Sequence, residues 1–241
     1  MKMIDLSICE KKVFSQNGED GVTAKLVDIL FDTQENKYYV EFGVENGMQC
    51  NTHILRKYAG WTGLLMDGGN ENIEINLQKE FITKENIISL FNKYNVRKHI
   101  NLLCVDIDFN DFYVLKEILK EYTADIIICE YNATHIPNED KVIIYDANGC
   151  WDGSNYAGTS LLSLTKLCNL YGYSLVYCDE NGVNAFFVRD TLIKERGLEF
   201  KDINNIYELY RLPKYGPGPR GGHREDTQQR QYITYEDAMK I

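Results

Sequence analysis

The stretch YSLVYCDENGVNAFFVR, residues 173–189, decides the fold. Its halves, Tyr173–Asp179 and Asn184–Arg189, are rich in aliphatic and aromatic residues, and only Glu180-Asn181-Gly182-Val183 separates them. A parallel crossover needs about a dozen residues, so the two runs must pair as an antiparallel hairpin. Asn181-Gly182 is the dipeptide that a tight hairpin turn prefers. Upstream, from about residue 36, short β-rich runs alternate with helix-length segments. The strand candidates are Tyr38–Phe42, Gly63–Asp67, Leu102–Asp108, Asp125–Tyr131, Ser174–Asp179 and Asn184–Arg189. Apolar residues recur at three- and four-residue spacing in Thr52–Tyr58, Asn86–Tyr94, Phe112–Tyr122 and Ser160–Leu170. The third strand stays open: Phe81–Thr83 is short, and Ile87–Phe91 fits strand or helix. Near-continuous apolar strands alternating with helices predict a mostly parallel sheet covered on both faces, closed by the hairpin.

The 241 residues are 44% hydrophobic, enough for one large packed domain or two small ones. No apolar run approaches the ~18 residues of a membrane span, and MKMIDLSICEKK at the N-terminus lacks the apolar block of a signal peptide. A net charge of −10 argues against a nucleic-acid groove, whose affinity comes from neutralising phosphates, and favours a small or nucleotide-linked substrate. With 4 Pro, 18 Gly and 12% aromatics, neither a disordered nor a collagenous chain is expected. Seven cysteines without a CxxC pair suit a reducing cytoplasm, the expected location. Four histidines without HxH or HxxxH spacing give little support for zinc. A homo-oligomer is left open.

The predicted topology is an α/β three-layer sandwich with a Rossmann-like, mostly parallel sheet and a C-terminal antiparallel hairpin. That is the arrangement of class I S-adenosylmethionine-dependent methyltransferases rather than of dehydrogenases. In doubly wound sheets, ligands bind outside the carboxyl ends of the strands. Here the first strand ends as Glu41-Phe42-Gly43-Val44-Glu45-Asn46-Gly47, with two glycines four apart instead of GxGxxG. Its carboxylates would repel a pyrophosphate but suit a ligand carrying an ammonium and a sulfonium. Asp67 closes the second strand, where an acid can accept hydrogen bonds from a ribose diol. Together these features favour S-adenosylmethionine over NAD.

These blocks, with FSQNGEDG (14–21), GLLMD (63–67), VDIDFND (105–111), EYNA (130–133), WDGSNY (151–156) and NGVNAFFV (181–188), resemble the FkbM-like family of class I methyltransferases over roughly residues 13–190. Many members O-methylate sugars or other small hydroxyl compounds. The resemblance implies that Gln16 and Glu19 contact the methionine moiety. It makes Glu41 and Gly43 the cofactor turn, with Asn46 and Asp106 beside it, and Asp67 the ribose ligand. Its adenine-contacting stretch maps near Phe81–Asn86. Residues 191–241 match no part of the family.

Methyl transfer to an alcohol needs an oxygen held in line with the sulfonium methyl and a base or metal to remove its proton. Asp106 and Asp108 lie two apart near a strand end, as do Glu130 and Asn132 on the next, and residues two apart on a strand share a face. Asp106, Glu130 and Asn132 therefore read as ligands for Mg²⁺ or Mn²⁺, or else as polar caps and cofactor contacts. Metal-dependent sugar methyltransferases of the resembled family carry acids at matching places, but Asn132 is neutral where some have an acid. Asp111 reads as the N-cap of Phe112–Tyr122. The base candidates are His135, Asp108 and Asp152. Trp151 and Tyr156 read as stacking surfaces for a sugar ring, with Asn155 and Thr159 as hydroxyl ligands, although the same segment also reads as an ordinary loop before a helix.

After Arg211 the composition changes to KYGPGPRGGHR (214–224), which excludes helix and interior strand. The expected division is a methyltransferase domain over residues 1–210 and a basic Gly/Pro-rich C-terminal segment over 211–241. That segment reads either as a solvated tail or as a loop folding over an anionic substrate, with Lys214, Arg220 and Arg224 meeting phosphates. The expected activity is O-methylation of a sugar hydroxyl, on a nucleotide-activated sugar for capsule or other surface polysaccharide. The alternatives are a metal-dependent glycosyltransferase built on Asp106-x-Asp108, or a non-catalytic cofactor-binding protein.

Overall fold

The computed structural model describes residues 3–32 and 37–241; the first two residues of the N-terminal stretch and the predicted onset at residue 36 lie outside them. Seven strands form one sheet: β1 (Tyr38–Phe42), β2 (Thr62–Asp67), β3 (Leu77–Lys79), β4 (His99–Val105), β5 (Thr123–Glu130), β6 (Tyr173–Cys178) and β7 (Asn184–Arg189). Their order is β3-β2-β1-β4-β5-β7-β6. The pairs up to β5 are parallel, and β7 runs antiparallel to both β5 and β6. This is the mostly parallel sheet closed by an antiparallel C-terminal hairpin that the sequence predicts. The hairpin turn is built by Asp179: its carbonyl accepts the Gly182 N–H, and its carboxylate accepts those of Asn181, Val183 and Asn184.

The eight helices of the described residues are α1 (Glu19–Leu30), α2 (His53–Tyr58), α3 (Ile87–Lys93), α4 (Asp111–Glu121), α5 (Leu161–Leu170), α6 (Asp190–Arg196), α7 (Ile206–Leu209) and α8 (Tyr235–Ala238). Side chains alternate across the sheet, so each strand feeds two cores. Val40, Phe42, Leu64, Met66, Leu103 and Val105 pack with Phe91, Phe112 and Leu164 of α3, α4 and α5. Tyr39, Leu65, Leu102, Cys104, Ile126 and Ile128 pack with Val22, Leu26, Leu55 and Leu192 of α1, α2 and α6. None of the described helices is long and apolar enough to cross a membrane.

The ambiguous region resolves in a way the pattern did not show. The third strand is Leu77–Lys79, set by pairing Leu65 with Leu77 and Asp67 with Lys79. Phe81–Thr83 is irregular and leads into a turn at residues 84–86, where the Asn86 side chain donates to the Phe81 carbonyl and accepts the Thr83 N–H. Ile87–Phe91 is helical. Strand β4 also stops at Val105, so Asp106 and Asp108 do not share a strand face; they lie in a loop where Asp108 takes φ +64°. Asp111 is not the N-cap of α4. Asn110 holds that position without a side-chain cap, and Asp111 Oδ1 accepts the Ile107 N–H at 2.7 Å, cinching the β4–α4 loop. Ser160 does cap α5, accepting the Ser163 N–H.

Residues 211–241 pack onto the body rather than trailing from it. The Lys214 N–H donates to the Asn181 carbonyl, Ile233 exchanges two backbone hydrogen bonds with Val142, and Ala238 is fully buried.

Candidate active site

A cleft runs along the carboxyl ends of the parallel strands. Two chambers of about 270 and 220 Å³ lie over β1, β2 and β4, and a pinched space of about 10 Å³, room for about one water, lies beyond β5. Asp108 lines all three. The first chamber is polar and includes Gln16, Glu19, Glu41, Gly43, Asp67, Asp106 and Asn184. The second holds Met66, Phe81, Ile82, Phe109 and Trp151 as its apolar surface.

Gly43 lets β1 and β4 close this end. It has φ +65°, and a Cβ there would fall 1.7 Å from the Asp106 carbonyl oxygen. The loop that follows hangs on Glu41, whose buried carboxylate accepts the N–H groups of Asn51 and Thr52 and the Thr52 hydroxyl at 2.6–2.9 Å. Burial pushes its pKa up, and these hydrogen bonds oppose the shift. Glu41 thus shapes the turn, with its oxygens already engaged. Asp67 is similar: Oδ1 accepts from Gly69 and Asn70, while Oδ2 accepts only the Glu45 N–H and keeps a lone pair. Gln16 is positioned by Asp20, whose Oδ2 gathers the N–H groups of Val13, Phe14 and Ser15 at 2.8 Å each. Glu19 accepts from Asn17 and from Asn184 Nδ2, and the buried Asn184 Oδ1 is left without a partner. Asn46 is exposed, accepts the Met48 N–H and lies off the cleft lining.

Where the chambers meet, Asp106, Asp108 and Glu130 each bring one carboxylate oxygen within 4.8 Å of the others. Burial raises the pKa of Asp106 and of Glu130 well above the carboxylate range, and mutual repulsion adds to it. Burial likewise raises Asp108, and brings Asp111 beneath them to about 7. Three converging carboxylates need a cation or shared protons, and as hard oxygen donors they suit a divalent ion. Asn132 does not join them. Its Nδ2 donates to the carbonyls of Asn155 and Ala157, and its Oδ1 accepts from the backbone and hydroxyl of Thr134. The neutral amide is consumed in bracing its own loop.

The three proposed bases separate sharply. Only Asp108 faces the chambers. His135 is buried, lines none of these chambers, packs edge-on to Tyr232, and burial lowers its pKa to about 4. Asp152 is pinned to Arg230 at 2.6 Å and to Ser154. Among the substrate candidates, Trp151 reaches the cleft and its Nε1 donates to the Ser154 carbonyl. Tyr156 is buried, its hydroxyl donating to the Gln231 carbonyl and its ring covered by Arg230. Thr159 is fully buried with its hydroxyl on the Lys141 carbonyl, and Asn155 Oδ1 accepts the Asp226 N–H. Arg220 and Arg224 are exposed and form no ion pair among the described residues. Tyr215 and His223, which line the small chamber, carried no signal in the sequence beyond lying in the Gly/Pro-rich segment. Asn184 sits inside a recognised block, but only the structure shows its free oxygen.

No family model matches the chain, and no curated protein matches it. Among solved structures it is similar to an O-methyltransferase family protein from Burkholderia thailandensis, at 8% identity and a TM-score of 0.39, over 71% of this chain and 57% of that one. It is also similar to the CurJ carbon methyltransferase, at 8% identity and TM-score 0.39, over 73% of this chain and 56% of that one. The chain thus matches little more than half the length of either.

Proposed function

We propose that this protein is an S-adenosylmethionine-dependent O-methyltransferase acting on a sugar hydroxyl, as part of a nucleotide-activated precursor for a surface polysaccharide, in the cytoplasm. The observation that carries the reading is the cleft itself: two large chambers and one small one meet at a single carboxylate, Asp108, at the carboxyl edge of a class I sheet. The polar chamber suits the methionine end, with Glu19 and the unpartnered Asn184 oxygen as acceptors for an ammonium and the spare lone pair of Asp67 for a ribose hydroxyl. The chamber holding Phe81 and Ile82 suits the adenine. The acceptor then approaches from the side of Trp151 and the small space beyond β5, its hydroxyl directed at the junction.

In the proposed reaction the acceptor oxygen forms its bond to the methyl carbon as the carbon–sulfur bond breaks, and the hydroxyl proton passes to the Asp108 carboxylate. Burial has already raised the proton affinity of that carboxylate toward what a base near neutral pH needs. Asp106 and Glu130, with Asp108, would hold Mg²⁺ or Mn²⁺, which when bound would acidify the hydroxyl as a Lewis acid. The same carboxylates favour the second reading, a metal-dependent glycosyltransferase, which leaves the Gly43 turn and Asp67 unused.

Calorimetric titration with S-adenosylhomocysteine, in Mn²⁺ and again in EDTA, separates these readings. Micromolar binding in both conditions is the expected result, weakened about tenfold by Asp67→Ala, a change of ~1.4 kcal/mol. No binding in either condition rejects the methyltransferase, and binding of a nucleoside diphosphate in its place would support the glycosyltransferase.

A further inference from the structure

The polar chamber has two walls from different parts of the chain. One is the loop before α1, which contributes Gln16, together with Glu19 of α1 itself. The other is the loop after β1, which contributes Glu45, Gln49, Cys50 and Asn51. Gln16 is exposed and its side chain makes no hydrogen bond among the described residues, so its place over the chamber depends on how its loop is held. The N–H groups of Val13, Phe14 and Ser15 converge on Asp20 and that of Asn17 on Glu19, so all of these anchors lie on α1. They fix the shape of the loop but not its distance from the opposite wall. Phe14 makes the contact that crosses. Its ring stacks on that of His53, the first residue of α2, with centroids 4.0 Å apart and planes 18° apart. Lys57, one helical turn on, brings its ammonium to 4.9 Å from the centre of the same ring. His53 is buried, and its Nδ1 donates to the Met48 carbonyl at 2.7 Å, since a carbonyl can only accept. It follows directly on Thr52, whose N–H and hydroxyl are held by Glu41. A chain of contacts thus runs from the end of β1 through Glu41, Thr52, His53 and Phe14 to the loop of Gln16.

We propose that Phe14 and His53 are positioning residues for the amino-acid end of the cofactor. Their stacked rings clasp the two walls of the polar chamber and hold Gln16 where it meets that end. This rests on the methyltransferase reading of the cleft. Neither residue lines the chamber, so their effect on a ligand passes through Gln16 and the loop at 45–51. The pair also belongs to neither apolar core, which sets it apart from ordinary interior packing. Two flat rings in face contact fix the spacing along their common normal, and a methyl group at either position would leave that spacing unset. The apolar chamber takes none of its lining from residues 10–18 or 45–58. The nucleoside end of the cofactor is therefore insulated from the clasp, and the effect is confined to the amino-acid end.

The test compares two ligands on the full chain by calorimetric titration. One is S-adenosylhomocysteine; the other is methylthioadenosine, which keeps the nucleoside and the thioether but lacks the amino-acid end. Phe14→Ala should weaken S-adenosylhomocysteine about tenfold and methylthioadenosine less than about twofold. Phe14→Tyr, which keeps the ring, should stay within about twofold of wild type for both. Gln16→Ala should show the same selectivity as Phe14→Ala, and combining the two should cost less than about a further twofold, because they act on one contact. His53→Phe, which keeps a ring face, should lose less than His53→Ala. Unchanged S-adenosylhomocysteine affinity in Phe14→Ala, equal weakening of both ligands, or full additivity with Gln16→Ala would each overturn the clasp. If Phe14→Ala does not fold, Phe14→Leu, which fills the volume without a flat face, is read by the same criteria. Failure of the methyltransferase reading looks different, because the wild-type protein would then bind neither ligand.

Discussion

Two glycine-bearing loops close opposite ends of the cleft, and they are held in opposite ways. The Gly43–Asn51 loop hangs on one buried carboxylate, Glu41, which collects three donors. The Pro213–Arg224 loop has no such anchor. Backbone hydrogen bonds among its own glycines shape it, and tilted ring contacts hold it against Trp151. The first loop sacrifices its acid to architecture and offers mostly backbone to a ligand. The second spends Tyr215 and His223 on those ring contacts and Lys214 on Glu180, which leaves Arg220 and Arg224 exposed. Glycine content alone therefore says little about which loop presents recognition groups; the location of the anchoring hydrogen bonds does.

Glu41→Ala should break the first loop outright. It strands two buried N–H groups and a hydroxyl, so a loss of about 3 kcal/mol in urea unfolding is expected, together with loss of S-adenosylhomocysteine binding. Glu41→Gln keeps an acceptor and should recover part of both; a fully stable Ala variant would erase the contrast between the loops. Gly221→Ala acts on the second loop, where the left-handed backbone and the Pro213 carbonyl forbid a Cβ. It should cost about 1–2 kcal/mol and lower acceptor turnover tenfold or more, with cofactor affinity unchanged. Loss of cofactor affinity in this variant would mean that the two ends are not separable.

Asp111, beneath the junction of the two ends, sharpens the comparison by pH. Its carboxyl is held at about 7 against the ordinary 3.8. Between about pH 4 and 7 the folded protein therefore keeps a proton that the unfolded chain has released, and stability falls as pH rises through that window. Asp111→Asn, which preserves the acceptor for the Ile107 N–H, should gain roughly 1–2 kcal/mol over wild type on going from pH 5 to pH 8. A difference that does not change with pH would show that the carboxylate cluster does not strain the fold.

Most of the framework was legible because period-two and helical patterns report burial directly. The hairpin length alone determined the antiparallel closure, and five of the six strand candidates missed only their ends or nothing at all. The sixth shift mattered: ending β4 at Val105 moved Asp106 and Asp108 off a strand face and into a loop. Their convergence with Glu130 survives for a different reason, the left-handed turn at Asp108. The third strand was illegible because three residues are too few to show a period. His135 and Asn132 misled because a polar residue after a strand has the same signature whether it faces a cleft or braces a loop. Tyr215 and His223 were hidden for the converse reason. Their positions depend on backbone contacts across the Gly/Pro-rich segment, which leave no pattern of side-chain types.

The strand completed last in the sheet is not an edge strand. Residues 184–189 lie between β5 and β6, so until Asn184–Arg189 has left the ribosome, β5 ends the sheet with an open edge carrying Ile126, Ile127, Ile128 and Cys129. Such an apolar edge is a template for pairing with another chain. The compact Asp179-centred turn lets β6 and β7 zip together locally, at low loop-closure cost, and dock as a unit. Synthesis paused before residues 184–189 emerge would thus leave the nascent chain with its parallel strands formed and this apolar edge uncovered.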